Sequence, residues 1–367
     1  MFGTILTSIY TLMLLYVFWR IIAIPIMARS ISKKIVVCIG VMLWLIFFAG
    51  RFIEHNAANS FSTVIELFGM NALGTVLLFF IPIFIVDIVT GFGNIMPKLS
   101  QYFRLSALIV GCLLSIIALV QGMRPPVIQN YDVVLAGLPA NLDGTTLVAI
   151  SDTHLGSLLN KKWFEARVAQ LKSLKPDIVV LLGDIDEGHG SSQDEFVPVL
   201  RTLSAPLGVW AVLGNHETHR RSNSSIALVE NLGLKVLRNT WNEISPGLIL
   251  SGVDDLTANQ HLGQKKDLIS MALLGKPKST TILLSHSPLD AERAAEQGVQ
   301  LMLSGHTHAG QIWPFNYLVA QRYPLIGGRY EVKGMTVIVC RGTGTWGPRM
   351  RLWHPNEIVR VTMHSKK

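Results

Sequence analysis

Four long apolar stretches in the first third of the chain constrain its fold more than any other feature. They contain no charged side chain and span residues 2–19, 35–50, 67–86 and 105–123. A helix rises about 1.5 Å per residue and needs about 20 residues to cross the hydrocarbon core of a bilayer. Residues 1–122 are therefore predicted to be a transmembrane module. Its four helices are expected at about residues 2–27, 35–53, 65–89 and 105–122.

The first stretch has a second interpretation, a cleaved signal peptide. No basic residue precedes it and three further apolar stretches follow it, so a membrane helix is favoured. Glu66 and Asp87 lie near the third stretch. We expect both to be interfacial residues at helix ends, with a polar pathway through the module as the alternative.

The charged residues divide the chain into two parts of different character. Residues 1–122 hold seven basic and three acidic side chains, whereas the remaining 245 residues hold 25 and 21. The second composition is that of a soluble domain, and its length allows a substantial core. We therefore expect a globular domain at residues 131–367. The linker at residues 123–130 contains two adjacent prolines, which stop a helix.

The net charge of +8 is spread over both parts, and no basic tail or stripe stands out. A nucleic-acid partner is therefore not expected, because such a partner requires a concentrated basic surface. Three cysteines, two of them in apolar stretches, exclude a disulfide-stapled domain and a thiolate zinc cluster.

The basic residues of the short loops indicate how the chain crosses the membrane. The loops after the first and third apolar stretches carry six Lys or Arg residues, and the opposite side carries two. Basic loops prefer the cytoplasmic side. Both ends of the chain are then expected outside, so the protein is predicted to be a multi-pass protein of the cell membrane with an extracytoplasmic, periplasmic-side domain.

In the globular part, short runs of Val, Ile and Leu repeatedly end in polar clusters. Five such runs lie at residues 147–150, 178–182, 209–213, 282–284 and 301–303. Helical stretches between the runs favour an α/β layered fold. Further strand signals indicate a second sheet, and hence a sandwich flanked by helices. These signals lie at residues 131–137, 248–252, 335–340 and 357–363.

Each of the five runs is followed by Asp, Asn or His. The residues are Asp152, His154, Asp184, Asn215, His286, His306 and His308. Ligands bind at the carboxyl ends of strands in open α/β sheets. Side chains two positions apart on an extended segment point the same way. Asp152 with His154, and His306 with His308, can therefore converge on one point.

The chemistry of these seven side chains predicts a metal site. Carboxylate, carboxamide and imidazole donors without sulfur suit Mn²⁺, Fe or Zn²⁺. Seven donors are too many for one ion and suit two divalent metal ions that share a carboxylate. Two such ions bind a phosphate oxyanion. They also keep a bridging water deprotonated, as a hydroxide nucleophile, near neutral pH. The sequence therefore predicts a dimetal centre for phosphate-ester hydrolysis.

The order of the motifs resembles the calcineurin-like metallophosphoesterase superfamily over roughly residues 145–310. The motifs are Asp152-x-His154, Gly183-Asp184-x-x-Glu187, Gly214-Asn215-His216-Glu217, His286 and Gly305-His306-x-His308. The resemblance implies a four-layer α/β/β/α sandwich. It assigns one metal to Asp152, His154, Asp184 and His308, and a second metal to Asp184, Asn215, His286 and His306.

The resemblance also implies catalytic roles for two residues that are not expected to bind metal. His216 would face the scissile phosphate and either protonate the leaving oxygen or neutralise charge there. A positioned acid of this kind typically contributes about 10²–10⁴-fold to the rate. Glu187 occupies the position where some relatives keep an Asp that orients this histidine.

The tail of the domain, residues 341–349, contains three glycines with the spacing G-x-G-x-x-G. This matches a dinucleotide-binding fingerprint, but Pro348 and the alternating stretch after it do not begin the helix that the fingerprint requires. With the motif at residues 305–311, the tail resembles the membrane-tethered branch of the superfamily, with bacterial and animal members. We interpret it as a substrate-binding loop in which Arg341 or Arg349 contacts phosphate and Trp346 an apolar group. Plain β-turn glycines are the alternative.

These features predict a membrane-anchored enzyme that hydrolyses phosphodiesters of lipids or cell-envelope polymers. Its expected partners are the lipid bilayer and a phosphate-ester substrate, lipid-linked or free, because tethering raises the effective concentration of a lipid-linked substrate. No obligate protein partner is inferred. One alternative is a pyrophosphate hydrolase of a nucleotide-linked lipid, like the UDP-diacylglucosamine hydrolases. The other is a non-catalytic membrane sensor or transporter with a phosphoesterase-like domain.

Overall fold

The computed structural model describes residues 2–53, 60–187, 195–219, 234–261, 263 and 266–366. They form two compact units. The first comprises Met1–Met123 and Gly347–Trp353, and the second comprises Arg124–Trp346 and His354–Lys367.

The first unit is helical. Its helices are α1 (Phe2–Ala23), α2 (Pro25–Ser30), α3 (Lys33–Ile53), α4 (Ser60–Val89) and α5 (Pro97–Met123). Among the described residues, α1, α3, α4 and α5 are long and apolar enough to cross a membrane, which confirms the predicted four-helix module. α1 ends before Pro25, since proline cannot continue a helix and instead starts α2. α4 and α5 begin earlier than predicted because polar residues extend each helix beyond its apolar run.

Asp87 lies near the end of α4, as expected. Its side chain is buried among other helices, however, and is not exposed as we expect of an interfacial residue. Its carboxylate is fully buried and pairs with Arg20 Nε at 2.5 Å and Arg104 Nη2 at 2.7 Å. It also accepts a hydrogen bond from the Tyr16 hydroxyl. The four side chains come from α1, α4 and α5, so this ion cluster links three helices. Sequence reasoning could not pair Asp87 with residues that lie up to 71 positions away.

We expect Asp87→Asn to destabilise the first unit by about 3–5 kcal/mol, because it leaves two buried arginines without a counter-charge. Thermal unfolding of the full chain in detergent should show a clearly lower Tm. Lys98 is exposed on the same unit, and Lys98→Gln should leave the Tm unchanged. Equal Tm values for the two variants would contradict a stabilising ion cluster.

Residues 347–353 pack on the helices of the first unit. The backbone N–H of Arg349 donates to Asn71 Oδ1 at 2.9 Å, and that of Arg351 donates to the Ala118 carbonyl at 2.8 Å. Gly122 allows this approach, since a Cβ there would lie 2.5 Å from the Arg349 carbonyl oxygen. The sequence prediction placed this segment in the domain at residues 131–367, because its composition does not differ from that of its neighbours.

The second unit contains twelve strands among its described residues. They are β1 (Val127–Leu135), β2 (Thr146–Ile150), β3 (Ile178–Leu181), β4 (Val209–Ala211), β5 (Lys235–Val236), β6 (Thr240–Ser245), β7 (Leu248–Gly252), β8 (Thr280–Leu284), β9 (Leu301–Ser304), β10 (Gly328–Val332), β11 (Met335–Val339) and β12 (Glu357–Ser365). β1 takes up residues 127–130 of the predicted linker, because they pair with β12.

The described helices of this unit connect or flank the strands. They are α6 (Lys161–Ser173), α7 (Val197–Leu200), α8 (Asn215–His219), α9 (Leu256–His261), α10 (Leu268–Ala272), α11 (Ala291–Glu296) and α12 (Phe315–Arg322).

The described strands form two six-stranded sheets. Their orders are β1-β12-β2-β3-β4-β5 and β10-β11-β9-β8-β7-β6. β2 to β5 run parallel in the first sheet, and β7, β8, β9 and β11 run parallel in the second. The carboxyl ends of the parallel strands therefore lie at one edge of each sheet.

Alternating side chains on each strand separate the layers. On β2, Leu147 and Ala149 join a core cluster that includes residues of both sheets. Val148 and Ile150 point the other way and join a cluster with Phe164 of α6. A third cluster joins β8 and β9 to α9, α10 and α11. Side chains alternate between the two faces of each strand, so each sheet packs on the other sheet with one face and on helices with the other. This packing gives a four-layer α/β/β/α sandwich, as predicted.

Candidate dimetal site

The five predicted ligand segments follow β2, β3, β4, β8 and β9, and contacts between them show that they meet. The backbone N–H of His306, after β9, donates to Asp152 Oδ2, after β2, at 3.0 Å. The backbone N–H of His216, after β4, donates to Asp184 Oδ1, after β3, at 2.9 Å. His286, after β8, contacts Asp184 as well. The edges of both sheets therefore contribute to one site.

One group of ligand atoms consists of Asp152, His154 and His308. Their ligand atoms lie within 4.8 Å of one another, and all three side chains are buried. The Nε2 atoms of His154 and His308 are 3.1 Å apart, and His308 Nε2 is 3.4 Å from Asp152 Oδ1. Two imidazole lone pairs at this distance repel each other unless a proton or a cation lies between them. This group therefore suits a metal ion.

A second group consists of Asp184, His286 and His306. His286 Nε2 lies 3.1 Å from Asp184 Oδ2 and 3.3 Å from His306 Nδ1. The other ring nitrogen, His286 Nδ1, lies 2.7 Å from the carbonyl oxygen of Leu182. A carbonyl only accepts, so Nδ1 carries the hydrogen and Nε2 directs its lone pair into the group. His286 is thereby oriented as a ligand.

Asp152 and Asp184 connect the two groups. Asp152 Oδ1 lies 4.0 Å from Nε2 of both His154 and His286, and Asp184 also forms a group with His154 and His216. Asn215 is the first residue of α8, directly after the β4 loop. The Asp and His residues of these groups supply nitrogen and oxygen donors without sulfur, which accommodate Mn²⁺, Fe and Zn²⁺ alike.

Glu187 contacts two histidines. Its carboxylate oxygens lie 2.5 Å from His154 Nδ1 and 3.2 Å from His216 Nδ1. Burial raises the pKa of Glu187, but the imidazoles of His154 and His216 outweigh burial and hold that pKa well below its usual range. Burial lowers the pKa of His216, yet Asp184 and Glu187 raise it to about 10. The arrangement stabilises a protonated imidazole beside the ligand groups.

The backbone at the site is strained at five predicted ligands. Their φ angles lie in the left-handed region that side chains avoid: Asp152 at 54°, His154 at 44°, Asp184 at 49°, His306 at 71° and His308 at 49°. Such conformations cost about 1–3 kcal/mol each and concentrate at functional sites. Five candidate ligands share this costly conformation. The backbone here therefore favours the placement of ligand side chains over the stability of the fold.

Close backbone packing at two motif glycines holds the ligand loops together. A Cβ at Gly214 would lie 2.5 Å from the backbone nitrogen of Asp184, and one at Gly305 would lie 2.5 Å from Asp152 Oδ2. A larger residue would displace both carboxylates. These two motif glycines thus permit close approach between the ligand loops.

Glu217 is a buried residue of the site to which the sequence analysis gave no role. Its carboxylate accepts hydrogen bonds from the backbone N–H groups of Gly214 at 2.7 Å, Asp184 at 3.0 Å, Ile185 at 2.7 Å and Asp186 at 3.3 Å. It therefore ties the β3 loop to the β4 loop. Its place directly after Asn215 and His216 was the available sequence signal, but its inward orientation depends on how the two loops pack.

The three predicted substrate contacts lie in different surroundings. The Trp346 ring is 6.3 Å from the His216 ring between centroids, and its backbone N–H donates to Gln311 Oε1 at 2.9 Å. Arg341 pairs with the buried carboxylate of Glu357 at 3.1 Å. Arg349 belongs to the first unit. Contact of these residues with substrate stays a prediction.

Comparison with known proteins agrees with this geometry. Residues 145–310 match the family described as calcineurin-like phosphoesterase. A cattle protein (Bos taurus) named "Transmembrane protein with metallophosphoesterase domain" is 34% identical over 275 residues, 71% of this chain and 62% of that protein. The match thus spans less than two thirds of the cattle protein's length. An uncharacterized metallophosphoesterase from Aquifex aeolicus is 34% identical over 243 residues, 65% of this chain and 92% of that protein.

A solved structure of a dimetal phosphatase from Danio rerio has a TM-score of 0.37 at 15% identity, covering 55% of this chain and 88% of that one.

Proposed function

The chain belongs to the calcineurin-like metallophosphoesterase family, and from this premise we propose that it is a membrane-anchored phosphodiesterase acting on lipid or cell-envelope substrates. The family supports a metal-dependent phosphoester hydrolase. The four apolar helices, and the transmembrane cattle relative, support a membrane protein.

The observation that carries the proposal is the pair of ligand groups joined by Asp152 and Asp184, with His216 beside them. One cation would be held by Asp152, His154, Asp184 and His308, and the other by Asp184, Asn215, His286 and His306. Two divalent cations there would activate water and neutralise the charge of a bound phosphate.

His216 is proposed as the proton donor to the leaving oxygen. Its Nδ1 faces the Glu187 carboxylate at 3.2 Å, which holds a hydrogen at that nitrogen and orients the ring. Its Nε2 points into the site, 3.9 Å from Asp184 Oδ2. The ring is about one fifth exposed, so a substrate oxygen can reach it. Glu187 contacts both His216 and the proposed ligand His154, and we assign it as a positioning residue.

The proposed substrate is a diester with an apolar part, lipid-linked or free. Trp346 is 42% exposed beside His216 and offers an apolar surface for a substrate group. The bilayer is the proposed partner, and neither nucleic acid nor an obligate protein partner is proposed. The six basic residues in two loops support a periplasmic-side domain, which a reporter fused after Lys367 would test.

We expect metal removal to abolish hydrolysis. Detergent-purified full chain treated with EDTA should lose activity on bis(p-nitrophenyl) phosphate, and Mn²⁺, Fe²⁺ or Zn²⁺ should restore it, because the ligand side chains alone provide no electrophile for phosphate. The same protein should hydrolyse this diester, and a glycerophosphodiester lipid, faster than p-nitrophenyl phosphate. Undiminished activity after EDTA would overturn the metal-dependent function, and faster monoester hydrolysis would overturn the diester preference.

A further inference from the structure

His306 has a partner at each ring nitrogen. Its Nδ1 faces the second ligand group, 3.3 Å from His286 Nε2, and its Nε2 lies 2.8 Å from the hydroxyl oxygen of Tyr323. The two rings are also in contact, with centroids 4.8 Å apart at 72°. Tyr323 directly follows α12 and lies outside all five sequence motifs.

The Tyr323 hydroxyl begins a chain of hydrogen bonds that leads away from the site. It lies 3.1 Å from Thr257 Oγ1, which lies 2.7 Å from Ser287 Oγ. Ser287 Oγ donates to Asp255 Oδ2. The other oxygen of Asp255 accepts the backbone N–H of Ala258 at 2.7 Å, in the first turn of α9. Thr257, Ser287 and Asp255 are all buried.

The carboxylate at the end of this chain sets the direction of every hydrogen bond in it. The Ser287 hydroxyl has one hydrogen and donates it to Asp255 Oδ2, so Ser287 Oγ must accept from Thr257. Thr257 in turn accepts from Tyr323. The hydrogen of Tyr323 is then engaged, and its oxygen must accept from His306 Nε2. His306 therefore carries its hydrogen at Nε2 and presents a lone pair at Nδ1.

We propose that Tyr323 is a positioning residue for His306, acting through the hydrogen-bonded chain of Tyr323, Thr257, Ser287 and Asp255. The chain keeps Nδ1 of His306 available to the second of the two cations and holds the ring in place. This inference rests on the dimetal site of the proposed function. It adds four residues from three segments of the chain to those that support the site.

The effect should be confined to one cation. Removing a partner from the second nitrogen of a metal-binding histidine typically weakens metal affinity by 10–100-fold. Tyr323→Phe keeps the ring and removes the hydroxyl. Thr257→Val keeps the shape of the threonine and breaks the chain one step further on. In that variant Tyr323 is free to donate to Nε2, which moves the histidine hydrogen to Nδ1 and opposes metal binding.

Calorimetric titration of metal-depleted full chain with Mn²⁺ tests the proposal. We expect two Mn²⁺ per chain in the wild type, and in Tyr323→Phe one site with unchanged affinity and one weakened about 10–100-fold. Thr257→Val should weaken the same site. Activity of both variants should recover at saturating Mn²⁺, which a defect in folding would not allow. Tyr317→Phe, an exposed change on α12, is the matched control and should bind as the wild type does.

Wild-type affinity for both ions in Tyr323→Phe and Thr257→Val would overturn the proposal, as would equal weakening of both sites. Failure of the proposed function has a different signature. In that case the wild type binds two Mn²⁺, and the variants lose affinity for one, but no phosphoester is hydrolysed. A lower Tm of metal-depleted Tyr323→Phe, without a change in Mn²⁺ affinity, would mark a purely structural role and also overturn the proposal.

Discussion

Replacing His216 with asparagine is expected to lower kcat by about 10²–10⁴-fold, the usual contribution of a positioned general acid, and to leave two metal ions bound. The loss should depend on the leaving group. A nitrophenolate leaves as a stable anion and needs little protonation, whereas an alkoxide from a lipid diester needs a proton as its bond breaks. The loss should therefore be smaller with bis(p-nitrophenyl) phosphate than with a glycerophosphodiester lipid. Steady-state kinetics on both substrates, with metal analysis of the same samples, measures this.

His364→Asn is the matched control for this experiment. His364 is on the surface of β12, 3.4 Å from Asp132 and 3.5 Å from Asp143. Its replacement should leave kcat unchanged with both substrates. A similar loss with both leaving groups would refute the role of His216 as proton donor. Loss of a bound ion in His216→Asn would instead identify His216 as a ligand, in the group it forms with His154 and Asp184.

Asp184→Asn should have a still larger effect, because Asp184 takes part in two of the three groups of described residues that could hold a metal ion. An amide has one oxygen in place of two and no charge, so it cannot bridge two cations. Loss of an outer partner alone weakens metal binding by about 10–100-fold, so loss of this ligand should exceed 100-fold for at least one ion. Bound metal should fall from two ions per chain to one or none, and activity should fall to the level of EDTA-treated wild type.

Metal titration followed by Tm is a second readout for Asp184→Asn. Ions that bind the folded chain raise its Tm, and the rise should be smaller in the variant than in the wild type. Asp290→Asn is the control, since Asp290 is exposed and its left-handed backbone suits asparagine. Two ions per chain and full activity in Asp184→Asn would exclude the shared carboxylate on which the dimetal site depends.

The candidate ligand residues could be proposed from the sequence because each follows a buried strand. Runs such as residues 178–182 and 301–303 are too apolar to be anything but interior segments, and the polar residues after them must lie at a sheet edge. The same reasoning missed Glu217 and Tyr323. A carboxylate next to a motif and a tyrosine after a helix occur at many surface positions. Only the structure shows Glu217 buried among backbone donors and Tyr323 beside His306.

The ion cluster of Asp87 and the position of residues 347–353 show the same limit in the first unit. Apolar length predicted the four helices that are long and apolar enough to cross a membrane, because the bilayer requires an uncharged segment of that length. Helix packing decides which arginines pair with Asp87. It also decides which distant segment packs on Gly122.

The sequence by itself determined the two-part organisation, the α/β layers, the seven metal-ligand candidates and the phosphoester chemistry they favour. These properties depend on local composition and on the periods of helices and strands, which neighbouring residues carry. The tertiary structure decided which carboxylates join the two ligand groups, that Glu187 contacts two histidines, and that a chain of hydroxyls leads from His306 to Asp255. These are contacts between residues far apart in the chain, and only packing brings them within hydrogen-bonding distance.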